Sequence, residues 1–407
     1  MQTISGDVRV HFHYDVHFTT DLFVPANPLF RDVVTGVGSR REGVEVRRPV
    51  KVLFVVEQEV ENSRPVCASI EAYFQRFASD IVLIGAPVML PGGERVKNDP
   101  AHVDTIRRAV NDTGLDRHSY LAVIGGGALL DVGGFAAATA HRGIRLLRIP
   151  TTTLSQNDSG VGVKNGINSF GKKNFTGTFA PAWAILNDLR FLETLPEREW
   201  RAGVAEAVKV SLIKDVAFFE QIEELVPALA ARDLGAMGRL NHRCAELHVA
   251  HICTGGDPFE MGSSRPLDFG HWSAHKLEQL TNYRLRHGEA VAIGLALDVT
   301  YSHLQGWLSA DDLRRVLDVL SGVGFDLYDP ALESPEVFAG LREFREHLGG
   351  ELTIQMLRDL GDGFNVHEID EVLMRQAVGL LREAAQAASE EVAGSTVASR
   401  ENALALA

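Results

Sequence analysis

Four short apolar runs set the limits on how this chain can fold: Lys51–Val56, Ile81–Gly85, Tyr120–Gly125 and Leu146–Pro150. The first two are rich in β-branched residues, as in a parallel strand buried on both faces. Helical periodicity fills Ser69–Phe77 and Ala128–Ala140 between them. Strands that alternate with helices require a parallel sheet covered on both sides. Ahead of the first run, Val8–Tyr14 alternates with period two, so the first 45 residues or so read as an irregular or strand-bearing lead-in. From Leu192 onward the strand signal nearly vanishes. Pro196–Lys214 is an amphipathic helix with proline in its first turn. Further helices fall at 232–254, 270–280, 287–304 and 309–322, a short strand at Leu352–Met356, and a last helix beginning at Val366. The expected organisation is an α/β domain with a parallel sheet over 1–190 and an all-α domain over 191–383. The Ala-, Ser- and Glu-rich segment 384–407 lacks apolar anchors and reads as a disordered tail.

A chain of 407 residues with 45% hydrophobic content can fill two cores. No run of ~18 apolar residues occurs, so no membrane partner is expected. The N-terminus shows no basic region followed by an apolar one, and Cys67, Cys244 and Cys253 have no CxxC spacing. A cytoplasmic protein with reduced thiols is the expectation. A formal net charge of −14 argues against nucleic acid as a partner. A phosphorylated ligand remains possible only through a local basic pocket.

Gly125, Gly126 and Gly127 stand at the carboxyl end of a strand and open a helix. Residues without Cβ let a ligand approach the backbone, and the helix N-terminus offers free N–H groups to a pyrophosphate. The pattern is not GxGxxG, and a tight turn is the plainer alternative. Glu94 and Lys97, in the segment after another strand, could contact a ribose and a phosphate or belong to a solvated loop. The stretches Thr151–Lys164 and Asn168–Gly177 concentrate hydroxyls, amides, glycines and three lysines. With Arg142 they make the basic pocket that the acidic composition requires. A long surface loop is the alternative, against which the interleaved apolar residues argue.

His271 and His275 are four residues apart, on one face of a helix. His287 follows after a polar break, Thr281–Arg284, and precedes the apolar run Ala290–Leu297. Imidazole is the commonest metal ligand, with an oxygen or nitrogen from elsewhere as the usual companion. Hydrogen-bonded core histidines would look the same. Glu206 lies one turn from Lys209 and is flanked by Ala205, Ala207 and Val208. A carboxylate in such a setting is costly unless paired, by Lys209, or bound to a metal.

With these residues in place the chain resembles the sugar phosphate cyclases, the superfamily of 3-dehydroquinate synthase, from about Val50 to Leu381. The resemblance rests on Gly125–Gly127, Arg142-Gly, Pro150-Thr-Thr, Asp158 with Lys164, Gly171–Asn174, Ala205–Lys209, Phe269–His275 and His287–Gly294. It implies a dehydroquinate synthase-like fold: an N-terminal NAD-binding α/β domain and a C-terminal helical metal-binding domain. It also implies a homodimer. Glu206, His271 and His287 take the positions of the metal ligands, for zinc in most members, with cobalt also possible. Lys164, Lys209, His275, Asp158 and Lys173 take catalytic positions, and Arg142, Asn174, Arg265 and Asp268 substrate-binding ones. Glu57, Glu94, Lys97, Gly125, Gly126, Gly127, Asp131, Thr151 and Thr152 fall where the family holds NAD. Enzymes of this kind oxidise a ring carbinol, eliminate phosphate, reduce the ketone again, open the ring and close a carbocycle by an aldol step. They are carbon–oxygen lyases with a phosphorylated sugar as substrate and no net oxidation.

The departures from 3-dehydroquinate synthase concern charge. Ala250–Glu260 lacks the lysine that quinate-forming members carry, and Asp268 replaces their asparagine. Gly162-Val-Lys164 stands for Gly-Gly-Lys, and Glu343–Gly350 is similar to the heptulose phosphate cyclases rather than to a paired-lysine segment. A pocket with one cation fewer and one anion more disfavours a carboxylate substrate. The expected substrate is therefore a neutral C7 ketose phosphate, sedoheptulose 7-phosphate, and the product a valiolone-type cyclitol. Arg265 could still bind a carboxylate. The alternatives are 3-dehydroquinate synthase acting on 3-deoxy-arabino-heptulosonate 7-phosphate and a metal-dependent polyol dehydrogenase, which has no need of Lys164, Lys173 and Asn174. A non-catalytic scaffold would have lost ligands or lysines, and the chain is also similar to the dehydroquinate-synthase-like proteins of ebo gene clusters.

Overall fold

The computed structural model describes residues 3–8, 10–37, 49–259, 266–347 and 352–405, with 266, 344–347 and 389–405 described by backbone alone. The chain divides into two compact units, Met1–Leu195 and Pro196–Ala407.

The first unit runs β1 (Asp15–Thr19), α1 (Leu29–Thr35), β2 (Val50–Glu57), α2 (Gln58–Ser63), α3 (Cys67–Arg76), β3 (Ile81–Leu83) and β4 (Val88–Leu90). It continues with α4 (Ala101–Asp112), β5 (Tyr120–Gly125), α5 (Gly127–Thr139), β6 (Arg145–Pro150), β7 (Lys164–Ser169), β8 (Lys172–Phe179) and β9 (Ala184–Asp188). Seven strands form one parallel sheet in the order β1-β9-β6-β5-β2-β3, and β4 pairs with the carboxyl end of β2. Side-chain alternation sorts each central strand between two apolar layers. Val52, Phe54 and Val56 join Tyr120, Ala122 and Ile124 in one layer; Leu53, Val55, Leu121 and Val123 lie in the other. The first layer is aromatic, with Phe54 stacked on Phe30 at 5.7 Å and edge-on to Phe74 at 5.7 Å. Truncating Phe54 to alanine there would cost about 3–5 kcal/mol.

Two local expectations are corrected. The alternation of Val8–Tyr14 is not matched by a strand among the described residues there: β1 starts at Asp15, where β9 supplies a partner. The polar stretch after β6 is not an open loop. It makes one π-helical turn, Ser155–Ser159, and then the antiparallel hairpin β7–β8. Phe170 and Gly171 turn that hairpin with φ of +55° and +72°, the conformation that suits a two-residue connection.

The second unit is helical: α6 (Glu197–Lys214), α7 (Val216–Ala230), α8 (Leu234–Thr254), α9 (His271–Leu280), α10 (His287–Leu304), α11 (Ala310–Gly322) and α12 (Ala339–His347). The hairpin β10 (Ile354–Asp359) and β11 (Asp362–Val366) leads to α13 (Glu371–Ala405). Every residue of α10 from Ala290 to Ser302 is buried, as expected of a helix apolar all round. Close approach at glycines lets its neighbours in. A Cβ on Gly288 would stand 2.5 Å from Ala202 Cα of α6, and one on Gly294 would stand 2.0 Å from the Gly270 carbonyl oxygen. The last helix does not begin at Val366, which pairs with Ile354 in β11. It begins after Asp370, whose Oδ1 accepts from the N–H groups of Val372 and Leu373. The α13 backbone continues to Ala405, and its side chains beyond 388 lie outside the described residues. Among the described residues no helix is long and apolar enough to cross a membrane.

Candidate functional site

Helices α6, α9 and α10 each deliver one side chain to a point inside the second unit. Glu206 sits mid-helix on α6, wholly buried between Ala205 and Ala207. His271 opens α9 and His287 opens α10. From Glu206 Oε1, His287 Nε2 is 3.3 Å away and His271 Nε2 is 3.5 Å away. Lys209, one turn along α6, ion-pairs with Oε2. One ligand atom from each of Glu206, His271 and His287 lies within 4.8 Å of the other two.

The far side of each ring is held. His271 Nδ1 is 3.0 Å from the Phe269 carbonyl, which can only accept, so the proton belongs on Nδ1. His287 Nδ1 is 3.3 Å from Oε2 of Glu278, itself buried. Both Nε2 lone pairs therefore face Glu206, and carboxylate or carbonyl partners of this kind orient ligating imidazoles. The Glu206 oxygens are fully buried, yet neither has a hydrogen bond of good geometry, so their neighbours contact them as ions rather than as aligned donors. A carboxylate and two neutral imidazoles are a donor set that zinc accepts while keeping an open position. The residues fit a divalent metal.

The electrostatics point the same way. Burial works to raise the Glu206 carboxyl, but Lys209 and His271 hold it well below the usual range. Burial works to lower the His287 imidazole, but the adjacent Glu206 and Glu278 carboxylates draw it up to about 9. Without a metal this pocket gathers protons, as a site with excess negative potential does. His275, one turn after His271, is exposed beside the cluster, its ring 5.4 Å from His271 and 5.9 Å from His287. Asp268 is half-buried in the turn before α9. Arg265 lies outside the described residues.

In the first unit, β5 ends at Gly125 and Gly126 caps α5 with no side chain in the capping role. The Gly126 N–H donates to Glu57 Oε2 at 2.7 Å, across from the end of β2. A Cβ at Gly92 would stand 2.1 Å from Glu57 Oε1, one at Gly125 2.7 Å from Oε2, and one at Gly127 2.5 Å from Ser159 Oγ. Glycine is required so that a carboxylate and a hydroxyl can line the helix mouth. An uncapped helix start with an acidic group at the neighbouring strand end suits a dinucleotide, so the residues fit NAD.

Deeper in, Lys97 is buried, with Nζ 2.6 Å from Asp131 Oδ2 and 2.5 Å from Asn174 Oδ1. Burial opposes its charge, but Asp131 and Glu94 leave its pKa above the usual lysine value. Glu94 Oε1 accepts from Asn168 at 3.0 Å. Thr151 is buried, its N–H donating to the Gly125 carbonyl, and Thr152 bonds Ser155 through N–H and hydroxyl. Asp158 lies within the π-turn, Lys164 opens β7 exposed, and Lys173 is half-buried on β8. Arg142 stands exposed in a left-handed turn after α5 (φ +61°), and among the described residues it forms no hydrogen bond or ion pair with the others.

Sequence reasoning passed over three buried charges. Arg148, in β6, is wholly buried. It donates to the carbonyls of Gly160 (3.0 Å), Gly162 (2.7 Å) and Lys164 (2.7 Å) and to Asn165 Oδ1 (2.7 Å). It therefore ties down the segment that carries Asp158 and Lys164. An arginine inside a doubly buried strand was the available signal. Glu278 could have been found as the residue seven after His271, on the same helix face. Asp298 is the one acidic residue in the buried run of α10.

A parallel α/β unit with a glycine-lined helix mouth and a helical unit with a buried Glu-His-His set make up a dehydroquinate synthase-like fold. The N-terminal domain family of 3-dehydroquinate synthase matches residues 87–202 and its C-terminal domain family residues 203–343. The chain belongs to this family, whose named members here are carbon–oxygen lyase-type cyclases. The 2-epi-5-epi-valiolone synthase of Streptomyces glaucescens is 33% identical over 361 residues, 88% of each chain. The 3-dehydroquinate synthase of Acinetobacter baumannii (strain SDF) is 34% identical over 309 residues, 75% of this chain and 85% of that one. The structure of 2-epi-5-epi-valiolone synthase from Streptomyces hygroscopicus subsp. jinggangensis, solved with NAD+ and Zn2+ bound, matches with TM-score 0.82 and 28% identity. That match covers 93% of this chain and 99% of the other. A 2-deoxy-scyllo-inosose synthase complexed with carbaglucose-6-phosphate, NAD+ and Co2+ shares the fold at TM-score 0.69 and 20% identity, over 89% of this chain and 95% of that one.

Proposed function

We propose that this chain is an NAD- and zinc-dependent sugar phosphate cyclase converting sedoheptulose 7-phosphate to a valiolone-type cyclitol with loss of phosphate, acting as a cytoplasmic homodimer. Residues 1–190 form its nucleotide domain and 191–383 its metal domain. Glu57, Glu94, Lys97, Gly125–Gly127, Asp131, Thr151 and Thr152 hold NAD; Glu206, His271 and His287 hold the metal. When bound, NAD supplies a reversible hydride acceptor and the metal a charge that stabilises a developing oxyanion. The chain's own residues do the rest. Lys164, Lys173, Asn174 and Arg142 grip a phosphate dianion and stabilise it as it departs. His275, exposed beside the metal set, moves a proton at a sugar hydroxyl. Asp158 orients the sugar, and Lys209 fixes the rotamer of Glu206.

The observation that carries the substrate choice is Asp268, half-buried three residues before His271. A carboxylate there repels a substrate carboxylate and tolerates a neutral ketose. The structural match to a 2-epi-5-epi-valiolone synthase supports the same reading, while 3-dehydroquinate synthases are equally close in sequence. The test is direct. Pure protein with NAD and Zn2+ is given sedoheptulose 7-phosphate or 3-deoxy-arabino-heptulosonate 7-phosphate, and released phosphate and the carbocycle are measured. Phosphate and a C7 cyclitol from the first substrate are expected. Turnover of the heptulosonate alone would make the chain a 3-dehydroquinate synthase, and net NADH from a polyol would make it a dehydrogenase.

A further inference from the structure

Helix α10 carries a carboxylate that the chemistry above leaves unused. Asp298 is fully buried. Its Oδ1 accepts the indole N–H of Trp272 at 2.9 Å, and its Oδ2 accepts the backbone N–H of Gly270 at 3.1 Å. Those two donors flank His271 in the chain. The turn they belong to lies directly against α10: Gly270 is left-handed (φ +75°), and a Cβ there would stand 2.9 Å from the backbone nitrogen of Leu295.

The direction of the His271 ring follows from the peptide frame of this one turn. Asp298 grips that frame on both sides, as a fork holds a bar. Eleven residues earlier the same helix presents His287, about three turns away. Helix α10 thus carries one metal candidate and fixes the frame of another. Solvation alone does not explain a carboxylate here, because burial pushes the Asp298 carboxyl up to about 7.

We propose that Asp298, acting through Gly270 and Trp272, is a positioning residue that sets the His271 imidazole for metal binding. The inference rests on reading His271 as a ligand. Second-sphere partners of ligating histidines are worth 10–100-fold in metal affinity, and Asp298 is the same device placed on the backbone rather than on the ring.

The test uses the full chain with Asp298→Asn, Asp298→Leu, Trp272→Phe and, as reference, His271→Ala. Zinc affinity is measured by competition with a chromophoric chelator, and the visible spectrum is recorded after loading with Co2+. Circular dichroism reports the fold. Asp298→Leu should weaken zinc about 10–100-fold. Asp298→Asn and Trp272→Phe, each losing one arm of the fork, should weaken it about tenfold and shift the cobalt bands, with unchanged helix content. Should the leucine variant fail to fold, the other two carry the test. Wild-type zinc affinity and cobalt spectrum in both would overturn the proposal, whatever happens to thermal stability. Wild-type affinity in His271→Ala would instead overturn the metal reading itself, and this inference with it.

Discussion

Around their candidate sites the two units bury charge in largely opposite ways, although the first also buries Asp188 and the second Lys209. Around the glycine turn of the first unit the buried charges are cations, Lys97 and Arg148, and most of their partners are neutral carbonyl and amide oxygens. Around the histidines of the second unit they are carboxylates, Glu206, Glu278 and Asp298, met by imidazoles, a lysine, an indole and a backbone N–H. A buried guanidinium can be satisfied by a loop that folds its carbonyls inward, and that same loop then presents lysines and hydroxyls outward. A buried carboxylate needs donors or a cation, and helices converging on it can supply imidazoles whose lone pairs remain free. The first arrangement prepares a surface for an anion and the second prepares a hole for a cation.

The largest effect should come from the second unit. Glu206→Gln keeps the shape of the side chain and removes the charge that binds a divalent ion. Purified variant should contain no stoichiometric zinc by elemental analysis and show no cyclase turnover, with native circular dichroism. His271→Ala should behave alike. Full zinc occupancy in Glu206→Gln would dissolve the contrast between the units.

Arg148 is the counterpart in the first unit, where the expected loss is of order rather than of a cofactor. Arg148→Met strands three carbonyls and the Asn165 amide oxygen. At ~1–3 kcal/mol for each buried group left unsatisfied, partly relieved by relaxation, unfolding in urea should show a loss of about 3–5 kcal/mol. Arg148→Lys should recover little, because an ammonium cannot reach four acceptors in one plane. Substrate KM should rise while zinc affinity stays put. Unchanged stability would mean that the carbonyls find other donors and that the buried cation does not organise the loop.

What was legible in the chain follows the same division. The four apolar runs became β2, β3, β5 and β6, because an unbroken apolar run announces itself locally, even in the half-buried edge strand β3. The edge strand β1, the outlying β4 and the interior β9 are short or mixed in character, and the hairpin β7–β8 hides among glycines and polar residues. Glu206 stood out as a charge in an apolar helix, and His271 and His287 by residue type. Most of the nucleotide positions came from resemblance, since only the glycine turn has a local physical signature. Arg148, Glu278 and Asp298 stayed hidden because a buried charge is intelligible only through its partner. Trp272 and Asp298, for instance, are 26 residues apart in sequence.

Asp298 yields a smaller and signed prediction. Its folded pKa of about 7 lies above its ordinary value of 3.8. Between those limits the folded chain holds a proton that the unfolded chain has released. This group's contribution to stability is therefore greatest at about pH 4 and falls as pH rises through 7, by roughly 1 kcal/mol per pH unit where the difference is fullest. Urea unfolding of wild type minus Asp298→Asn, taken from pH 5 to 8, should show that slope and level off above 8. Parallel profiles would show that the carboxyl keeps its ordinary pKa and stays ionised throughout that range, overturning the effect assigned to burial.

The smallest effect belongs to charges that neither unit buries. Asp104 and Arg107 on α4, 3.2 Å apart, and Asp311 and Arg314 on α11, 3.1 Å apart, are exposed pairs at the same i,i+3 spacing. Asp104→Asn and Asp311→Asn should each change stability by less than about 0.5 kcal/mol, and equally in the two units. Even that difference should shrink in 0.5 M salt, roughly the regime where screening acts within a few ångströms. If one of these surface substitutions instead matched the loss from Arg148→Met, the contrast between the units would reside in overall charge rather than in how each interior is satisfied.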